Sequence, residues 1–538
     1  MKRSRGPFAR SIAAGRPTRA EARARRWIYV PYDRLTAEAG PLRSADPATT
    51  GAIFVESAEK ASRRPYHKKK LALLLANERH FALELVARGF KVLYVTADDP
   101  IGPALAAASK RNGISSVVTS RPAERELRQD LFAASELGLQ VDEVPDDTWL
   151  TTTEEFRSIF PRGAPYRMDT FYRRVRQRTG ILMQGGKPIG GRLSFDADNR
   201  EPWKGSPRPP RRPRFEPDEI TREVIDLVAR RFPSHFGSLA GFDLPTTRSD
   251  AESCWRFALE HLLPSFGPYE DAMSAAEPDL FHTKISALLN LGRLLPGRVV
   301  HDVAAGHATG AIPLGSAEGF IRQVLGWREL VHHVHEATDG YRALEPGGAP
   351  NALGAHSPLP AVYWGRRSGL ECVDAVVRQV LEQGYSHHIT RLMVLGNLAT
   401  TLGVSPRALT DWFWIAYVDA FDWVVEPNVL SMATWADGGL MTTKPYVAGA
   451  PYLSRLGSEH CRACELDPRE SSGPGSCPFT ALYWAFLERH TDALDQNGRM
   501  KLPLATWRRK PEAERSALRA RAEQARAALF GASPSRPS

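Results

Sequence analysis

The fold of the N-terminal region is decided by residues 68–96, KKKLALLLANERHFALELVARGFKVLYVT. Apolar side chains recur at helical spacing from Lys68 to Arg88, and Gly89 is typical of a helix end. The run Val92–Thr96 is rich in β-branched residues and predicts a buried strand. Further strands are predicted on both sides, at 27–30, 52–55, 117–119 and 139–144, with helices at 103–112 and 122–137. Strand–helix alternation predicts an α/β domain with a doubly wound parallel sheet over residues 27–145.

The chain changes character on either side of this domain. Residues 1–26 are Arg-rich and are predicted to form a basic disordered tail. Residues 146–215 end in the stiff, basic run PRPPRRPR at 207–214 and are interpreted as an interdomain linker. Helical periodicity then dominates and predicts a large all-α domain over 216–510, followed by a C-terminal helix and tail at 511–538.

Composition limits the classes of function. The chain has 538 residues and a net charge of 71 − 61 = +10, which favours a polyanionic partner such as nucleic acid. No apolar run approaches the roughly 20 residues that a membrane helix needs, and the N-terminus lacks the apolar core of a secretory signal. We therefore expect a cytoplasmic protein with no membrane partner, and take a monomer as the default oligomeric state.

The cysteines point to ligation rather than to disulfides. Cys461-Arg-Ala-Cys464 is followed, after twelve intervening residues, by Cys477-Pro478, and Cys372 is the natural fourth ligand. The Cys-Pro ending is typical of ferredoxin-like iron–sulfur ligand runs. A zinc site, which His460 could complete, and unligated thiols are the alternatives that spacing leaves open. Cys254 is interpreted as an ordinary buried thiol.

The segment Cys461–Phe486 (CRACELDPRESSGPGSCPFTALYWAF) resembles the cluster-binding segment of the iron–sulfur bacterial cryptochromes and photolyases. Other segments resemble the same family in the same order: Phe171–Arg200, Phe281–Leu295, Gly319–Leu330, Tyr385–Asn397, Asp411–Asn428 and Lys444–Tyr446. The resemblance spans roughly residues 65–507. It implies a photolyase/cryptochrome-like fold, in which an antenna-type α/β domain precedes an all-α FAD-binding domain. It also implies a [4Fe–4S] cluster held by Cys372, Cys461, Cys464 and Cys477.

The resemblance further implies which residues contact FAD: Thr283, Ser286, Asn290, Gln323, Trp327, Arg328, Trp412, Asp419, Asp422 and Asn428. Thr283 and Ser286 match hydroxyls that hold the FAD phosphates, where a helix N-terminus would favour the anion. Trp412 belongs to a group of tryptophans that carry electrons to the photoexcited flavin in this family. The family often has tyrosine after this tryptophan, and Phe413 puts any route through that side chain in doubt. Without the resemblance, any one of these tryptophans would be interpreted as a buried side chain of the hydrophobic core.

Two adjacent histidines, His387 and His388, are the residues expected to donate a proton. His387 and His388 point about 100° apart on a helix, so one can face the flavin and the other the substrate. The unperturbed pKa of histidine suits a reversible proton donor, and His388 matches the donor position of relatives that repair (6-4) photoproducts. Elsewhere such a pair would be interpreted as part of a solvated helix face. Tyr446 and Arg200 match positions beside the lesion.

The resemblance therefore predicts light-driven repair of (6-4) pyrimidine photoproducts in UV-damaged DNA. A cryptochrome-like photoreceptor without repair activity is the first alternative, and a cyclobutane-dimer photolyase is the second. Paired histidines argue against the latter, because that reaction needs no dedicated proton donor. The run Val30–Leu35 departs from the family's antenna motif, which leaves a 6,7-dimethyl-8-ribityllumazine antenna open.

Overall fold

The computed structural model describes residues 6–344 and 349–531. Near its N-terminus it contains a five-stranded parallel sheet with strand order β3-β2-β1-β4-β5. The strands are β1 (Arg26–Tyr29), β2 (Thr50–Ser57), β3 (Lys91–Ala97), β4 (Ser116–Ser120) and β5 (Gln140–Val144). Ile28 pairs with Ala52 on one side and Val118 on the other, so the strand order reverses at β1. The predicted doubly wound parallel sheet is confirmed, and its carboxyl edge opens a crevice after β1.

Helices surround this sheet and extend before it. They are α1 (Pro7–Ser11), α2 (Arg19–Arg23), α3 (Ala58–Ser62), α4 (Lys68–Ala87), α5 (Ile101–Asn112) and α6 (Arg125–Glu136), with 3₁₀ turns at Ile12–Gly15 and Gly40–Leu42. The prediction of a disordered tail over 1–26 is therefore wrong for residues 6–26, and residues 1–5 lie outside the described ranges. Phe8 is buried against Tyr94, with ring centroids 4.6 Å apart, and Thr18 with Glu21 forms a capping box that begins α2.

The region predicted as a linker contains packed helices, α7 (Thr153–Ile159) and α8 (Met168–Thr179), then a small hairpin, β6 (Met183–Gln184) with β7 (Lys187–Pro188), and a 3₁₀ turn at Ile189–Gly191. Phe171 and Tyr172 of α8 are buried against the π-helical turn Arg322–Arg328. A Cβ atom on Gly326 would lie 3.3 Å from the Tyr172 ring, so glycine allows this close approach. The interpretation of 146–215 as a plain linker is therefore wrong for these helices.

The rest of the described chain is helical, as predicted. The α-helices are α9 (Glu219–Arg231), α10 (Arg248–Phe257), α11 (Leu263–Phe266), α12 (Ser286–Asn290), α13 (Pro296–Ala308), α14 (Leu314–Ile321), α15 (Glu329–Ala337), α16 (Glu371–Gln383), α17 (Asn397–Leu402), α18 (Pro406–Ala416), α19 (Asp422–Glu426), α20 (Ala450–Leu456), α21 (Ser458–Ala463), α22 (Pro478–Arg489), α23 (Thr491–Leu494), α24 (Lys501–Arg509) and α25 (Glu512–Phe530). A 3₁₀ turn at Ala361–Trp364 and π-helical turns at Ala258–Leu262, Arg322–Arg328, Thr390–Gly396 and Pro427–Ala433 interrupt them. Such π turns frequently occur at functional sites.

The α/β and helical regions are joined by polar contacts of α4. The backbone N–H of His67 donates to the carbonyl of Ile415 at 2.7 Å. The buried Lys70 ammonium donates to the carbonyls of Trp414 (2.9 Å) and Ala420 (2.5 Å). One face of α4 therefore belongs to the wall of the helical region. Among the described helices, none is long and apolar enough to span a bilayer.

Candidate functional site

A cavity of about 1510 Å³ lies between α4, the segment 208–215 and the helical region. On its wall the Ser286 hydroxyl donates to Asp419 Oδ2 at 2.6 Å. The Asn290 amide donates to the carbonyl of Asp419 at 2.9 Å. The structure therefore brings together three of the residues that the sequence assigned to FAD.

Arg391, which the sequence analysis missed, completes this group. Its guanidinium makes two bonds to the Asp419 carboxylate, each 3.0 Å long, and its plane lies 4.0 Å from the centre of the Tyr417 ring. Burial alone would raise the pKa of Asp419, but the Arg391 cation and the hydrogen bonds from Arg391 and Ser286 outweigh it and hold that pKa below its usual range. The carboxylate is therefore ionised and fixed in orientation. The sequence did carry a signal for Arg391, because it is a single arginine within the apolar run that follows His388.

The predicted phosphate-binding hydroxyls are placed differently from one another. Thr283 and Ser286 both line the cavity, but the Ser286 hydroxyl already donates its proton to Asp419. Helix α12 is only five residues long, so the expected contribution of a helix N-terminus is not supported. Lys284, which lies between them in the sequence, adopts a left-handed φ of 57° and donates to Asp279 Oδ2 at 2.7 Å.

The two histidines occupy different environments, but not because both lie on a helix, as predicted: His387 precedes the helical turn that begins at His388. His387 is 1% exposed and stacks on His282, with ring centroids 4.3 Å apart. Neither ring nitrogen of His387 has a hydrogen-bond partner among the described residues. His388 is exposed. Its surroundings, chiefly by desolvation and then through the cations Arg391 and Arg322, lower its pKa to about 4, and the solvent that reaches the ring weakens the effect of desolvation. His388 is therefore a neutral imidazole at pH 7 that is open to a ligand.

A charged patch adjoins His388. The Gln323 amide donates to Glu270 at 2.5 Å, and Arg322 forms ion pairs with Asp196 (3.2 Å) and Glu270 (3.4 Å). Arg200 forms an ion pair with Asp196 in turn. Burial raises the pKa of Glu270 to about 7, and Arg322 opposes that rise.

Tyr446 interacts electrostatically with Asp196 and Arg200, so it belongs to the same patch. Burial raises the pKa of Tyr446 above its usual value, which keeps its hydroxyl protonated as a donor. The two residues predicted to lie beside the lesion are therefore neighbours of each other.

Some predicted FAD residues lie elsewhere. Arg328 faces the domain boundary, where its guanidinium is 4.1 Å from the centre of the Trp149 ring. Asp422 accepts a hydrogen bond of 2.7 Å from the backbone N–H of Arg125. Asn428 donates to the carbonyl of Val424 on its own helix at 2.7 Å. The structure joins none of these three to the Asp419 group by a hydrogen bond, and Trp327 is half-buried against the core.

Trp412 is 1% exposed and donates through Nε1 to the carbonyl of Tyr363 at 3.0 Å. Its ring contacts those of Tyr363 and Phe413, with centroids 5.1 Å apart in both cases. Phe236, at 6.4 Å from Trp412, also contacts Trp364, which is 48% exposed. A series of aromatic rings thus leads from Trp412 to Trp364 at the surface, but its middle member is Phe236, which, like Phe413, lacks an easily oxidised phenol.

The four cysteines predicted as ligands converge. The Cys372 thiol interacts electrostatically with the thiols of Cys477, Cys461 and Cys464, and burial raises its pKa well above the usual value. Cys254 instead lines the large cavity. The four sulfurs match the donor set of a [4Fe–4S] cluster, and binding would release their protons. Within the described ranges, no group of three or more Cys, His, Asp or Glu side chains could hold a single metal ion. The thiolates around a single tetrahedral metal ion lie only about 3.8 Å apart.

The large cavity fits FAD. Its volume exceeds the range of about 300–1,000 Å³ that is common for small-ligand pockets, as a dinucleotide requires. Ser286 on its wall, bonded to the fixed Asp419 carboxylate, and Thr283 supply polar groups there.

The crevice after β1 does not fit a lumazine. Tyr32 fills it and donates its hydroxyl to Glu124, and Lys60 forms an ion pair with the same carboxylate at 3.3 Å. The cavity that these residues line measures about 60 Å³, and a second one of about 180 Å³ adjoins it at Glu56 and Ser57. Neither reaches the roughly 300 Å³ of a small-ligand pocket.

Comparison with known proteins agrees with this geometry. Residues 28–244 match the family described as deoxyribodipyrimidine photo-lyase-related protein, and residues 320–448 match the FAD-binding domain of DNA photolyase. A (6-4) photolyase of Agrobacterium fabrum is 37% identical over 501 residues, covering 92% of this chain and 98% of that protein.

Solved structures show the same fold. A bacterial class III photolyase from Agrobacterium tumefaciens superposes with a TM-score of 0.57 at 15% identity, over 92% of this chain and 98% of that one. A cryptochrome from Synechocystis gives 0.54 at 16% identity, over 76% and 82% of the two chains. The chain belongs to the photolyase/cryptochrome family.

Proposed function

We propose that this protein is a DNA photolyase that repairs (6-4) pyrimidine photoproducts in UV-damaged DNA with light. The observation that carries the proposal is the position of His388, an exposed imidazole between the Arg391–Asp419 pair and the patch of Arg200, Gln323 and Tyr446. The likeness to a (6-4) photolyase over nearly the whole chain supports it.

Bound FAD would supply light absorption and one-electron transfer. The protein's own residues extract, hold and protonate the damaged bases. A (6-4) lesion has lost normal pairing and stacking, so turning it out of the duplex costs less than turning out an intact base. Tyr446 donates hydrogen bonds and Arg200 attracts the adjoining phosphate, while the net charge of +10 favours binding to the backbone.

His388 moves the proton. Its lowered pKa makes it neutral in the free protein at pH 7, and the phosphates of bound DNA raise that pKa because they favour the imidazolium. The protonated ring then donates Nε2–H or Nδ1–H to the lesion and recovers the proton when the bases separate. Since only the protonated ring acts, the repair rate should fall as pH rises above the pKa of the DNA complex.

The test is light-driven repair of an oligonucleotide that carries one (6-4) photoproduct, with a cyclobutane-dimer oligonucleotide as control. His388→Ala should reduce repair by about 10²–10⁴-fold, the usual contribution of a proton donor, with FAD content unchanged. Undiminished repair by the variant would disprove the role of His388. If the FAD-loaded wild type repairs neither lesion, the protein is a photoreceptor. Repair of the dimer alone would make it a cyclobutane-dimer photolyase.

We also propose a [4Fe–4S] cluster on Cys372, Cys461, Cys464 and Cys477, since these thiols converge and Cys254 lies apart. The closed crevice at Tyr32 favours a protein that works without a lumazine antenna. Acting on DNA, it would work in the cytoplasm, as a monomer whose DNA-binding face is free.

A further inference from the structure

A buried cation on the wall of the large cavity has no ion-pair partner among the described residues. Lys69, in the first turn of α4, is 5% exposed and lines the cavity that we assign to FAD. Its ammonium makes no hydrogen bond or ion pair with any side chain or carbonyl in residues 6–344 and 349–531. A buried ammonium without a partner is strongly disfavoured, so it is expected to meet an anion that belongs to a ligand.

The other cations that line the cavity are either bonded within the protein or exposed to solvent. Arg208 and Arg211 are exposed, and Arg214 faces Asp243 at 3.7 Å. Lys284 donates to Asp279 at 2.7 Å and to Gln383 at 3.2 Å. Lys70, next to Lys69 on α4, donates to main-chain carbonyls. Arg212 donates to the carbonyl of Leu280 at 3.2 Å. Among the described cations that line the cavity, Lys69 therefore combines a buried side chain with the lack of a hydrogen-bond or ion-pair partner.

The charged groups that face Lys69 are Asp243, Glu382 and Lys284, none of them within ion-pair distance of its ammonium. Asp243 already faces Arg214 at 3.7 Å. Glu382 is exposed to solvent, and Lys284 repels the ammonium. Asp243 and Glu382 therefore attract the Lys69 ammonium only from beyond ion-pair distance.

We propose that Lys69 binds a phosphate of FAD, so that the α/β domain supplies a cofactor ligand across the domain boundary. The assignment rests on the proposed FAD binding. The pyrophosphate is the anionic part of FAD, and the same cavity wall carries the hydroxyl-bearing segment of Thr283. A charge-assisted hydrogen bond from this buried side chain orients the dinucleotide and makes cofactor retention depend on the docking of α4.

The test compares FAD with riboflavin, which has no phosphate, in binding to the apo full-length protein by flavin fluorescence. Lys69→Met should weaken FAD binding by about 10–100-fold, as the loss of one charge-assisted bond predicts, and leave riboflavin binding unchanged. Lys69→Arg should restore most of the FAD affinity. Lys68→Met is the matched control, because Lys68 is adjacent on α4 but does not line the cavity. The Lys68→Met variant should bind FAD as tightly as the wild type does.

Equal affinity of the wild type and Lys69→Met for FAD would overturn the proposal. If the substitution weakened the binding of FAD and of riboflavin equally, the proposal would also be overturned, because that result would indicate lost packing. A wild type that binds neither flavin would overturn the proposed FAD binding itself, and this assignment with it. Thermal unfolding gives an independent readout. Lys69→Met should raise the Tm of the apo protein, because it removes an unpaired buried charge, and lower the Tm of the FAD-loaded protein. A decrease in both forms would assign Lys69 a purely structural role.

Discussion

The Arg391–Asp419 pair should be among the most costly polar contacts to break in the helical region. Asp419→Asn preserves the shape of the side chain and an oxygen that accepts from Ser286, but it leaves the Arg391 guanidinium without its carboxylate. The pair has two N–O distances of 3.0 Å, and its side chains are 20% and 6% exposed. An exposed ion pair contributes about 0.2–1 kcal/mol, whereas removing one partner of a buried pair costs about 3–5 kcal/mol. The partial exposure of Arg391 places the expected loss near the lower end, at about 3 kcal/mol.

The assay is urea unfolding followed by circular dichroism, with the free energy of unfolding measured for the wild type, Asp419→Asn, Arg391→Met and the double variant. The double variant removes both charges, so it should lose less free energy than the sum of the single variants, by about 2 kcal/mol or more. Additive losses, or a loss below about 1 kcal/mol in Asp419→Asn, would refute the view that this pair is a buried, coupled contact.

Two further results are expected. Burial, followed by the Arg212 cation, lowers the pKa of His282 from 6.5 to about 3. The unfolded chain therefore binds more protons between these values, and the unfolding free energy should fall with falling pH there, by up to about 1.4 kcal/mol per pH unit for this group. His282→Gln should flatten the profile measured by urea unfolding, and an unchanged slope would contradict the assignment. Purified anaerobic protein should contain about four iron atoms, and Cys372→Ser should lose them while Cys254→Ser keeps them. Equal iron in both variants would disprove the proposed ligand set.

The features that the sequence predicted well are those with a local period. The strands around Val92–Thr96 and the long helix after His67 follow from β-branched runs and helical spacing, and the structure places them within a few residues. The N-terminal tail was mispredicted because its order depends on Phe8 reaching Tyr94, a contact between distant residues. The Thr18–Glu21 capping box was a readable local signal.

Within the site, motif resemblance located Ser286, Asn290 and Asp419 correctly relative to one another. It could not show that Asp422 faces the α/β domain, since side-chain direction depends on how α19 docks. It also missed Lys69, because one lysine in a run of three carries no mark of its burial. Burial of a charge is a property of the assembled domains and cannot be recovered from spacing alone.

If Tyr32 closes the crevice after β1 to a lumazine, as we propose, it restricts the light that the protein can use. With Tyr32 bonded to Glu124, the space left there is about 60 Å³. A second pigment in that crevice would widen the absorption cross-section, and its energy would reach the reaction centre by transfer over distance. Without it, the action spectrum of the protein should coincide with the absorption spectrum of its flavin. Each useful photon must then be captured by the flavin inside the helical region, so the yield per incident photon depends on the absorption and quantum yield of that one pigment.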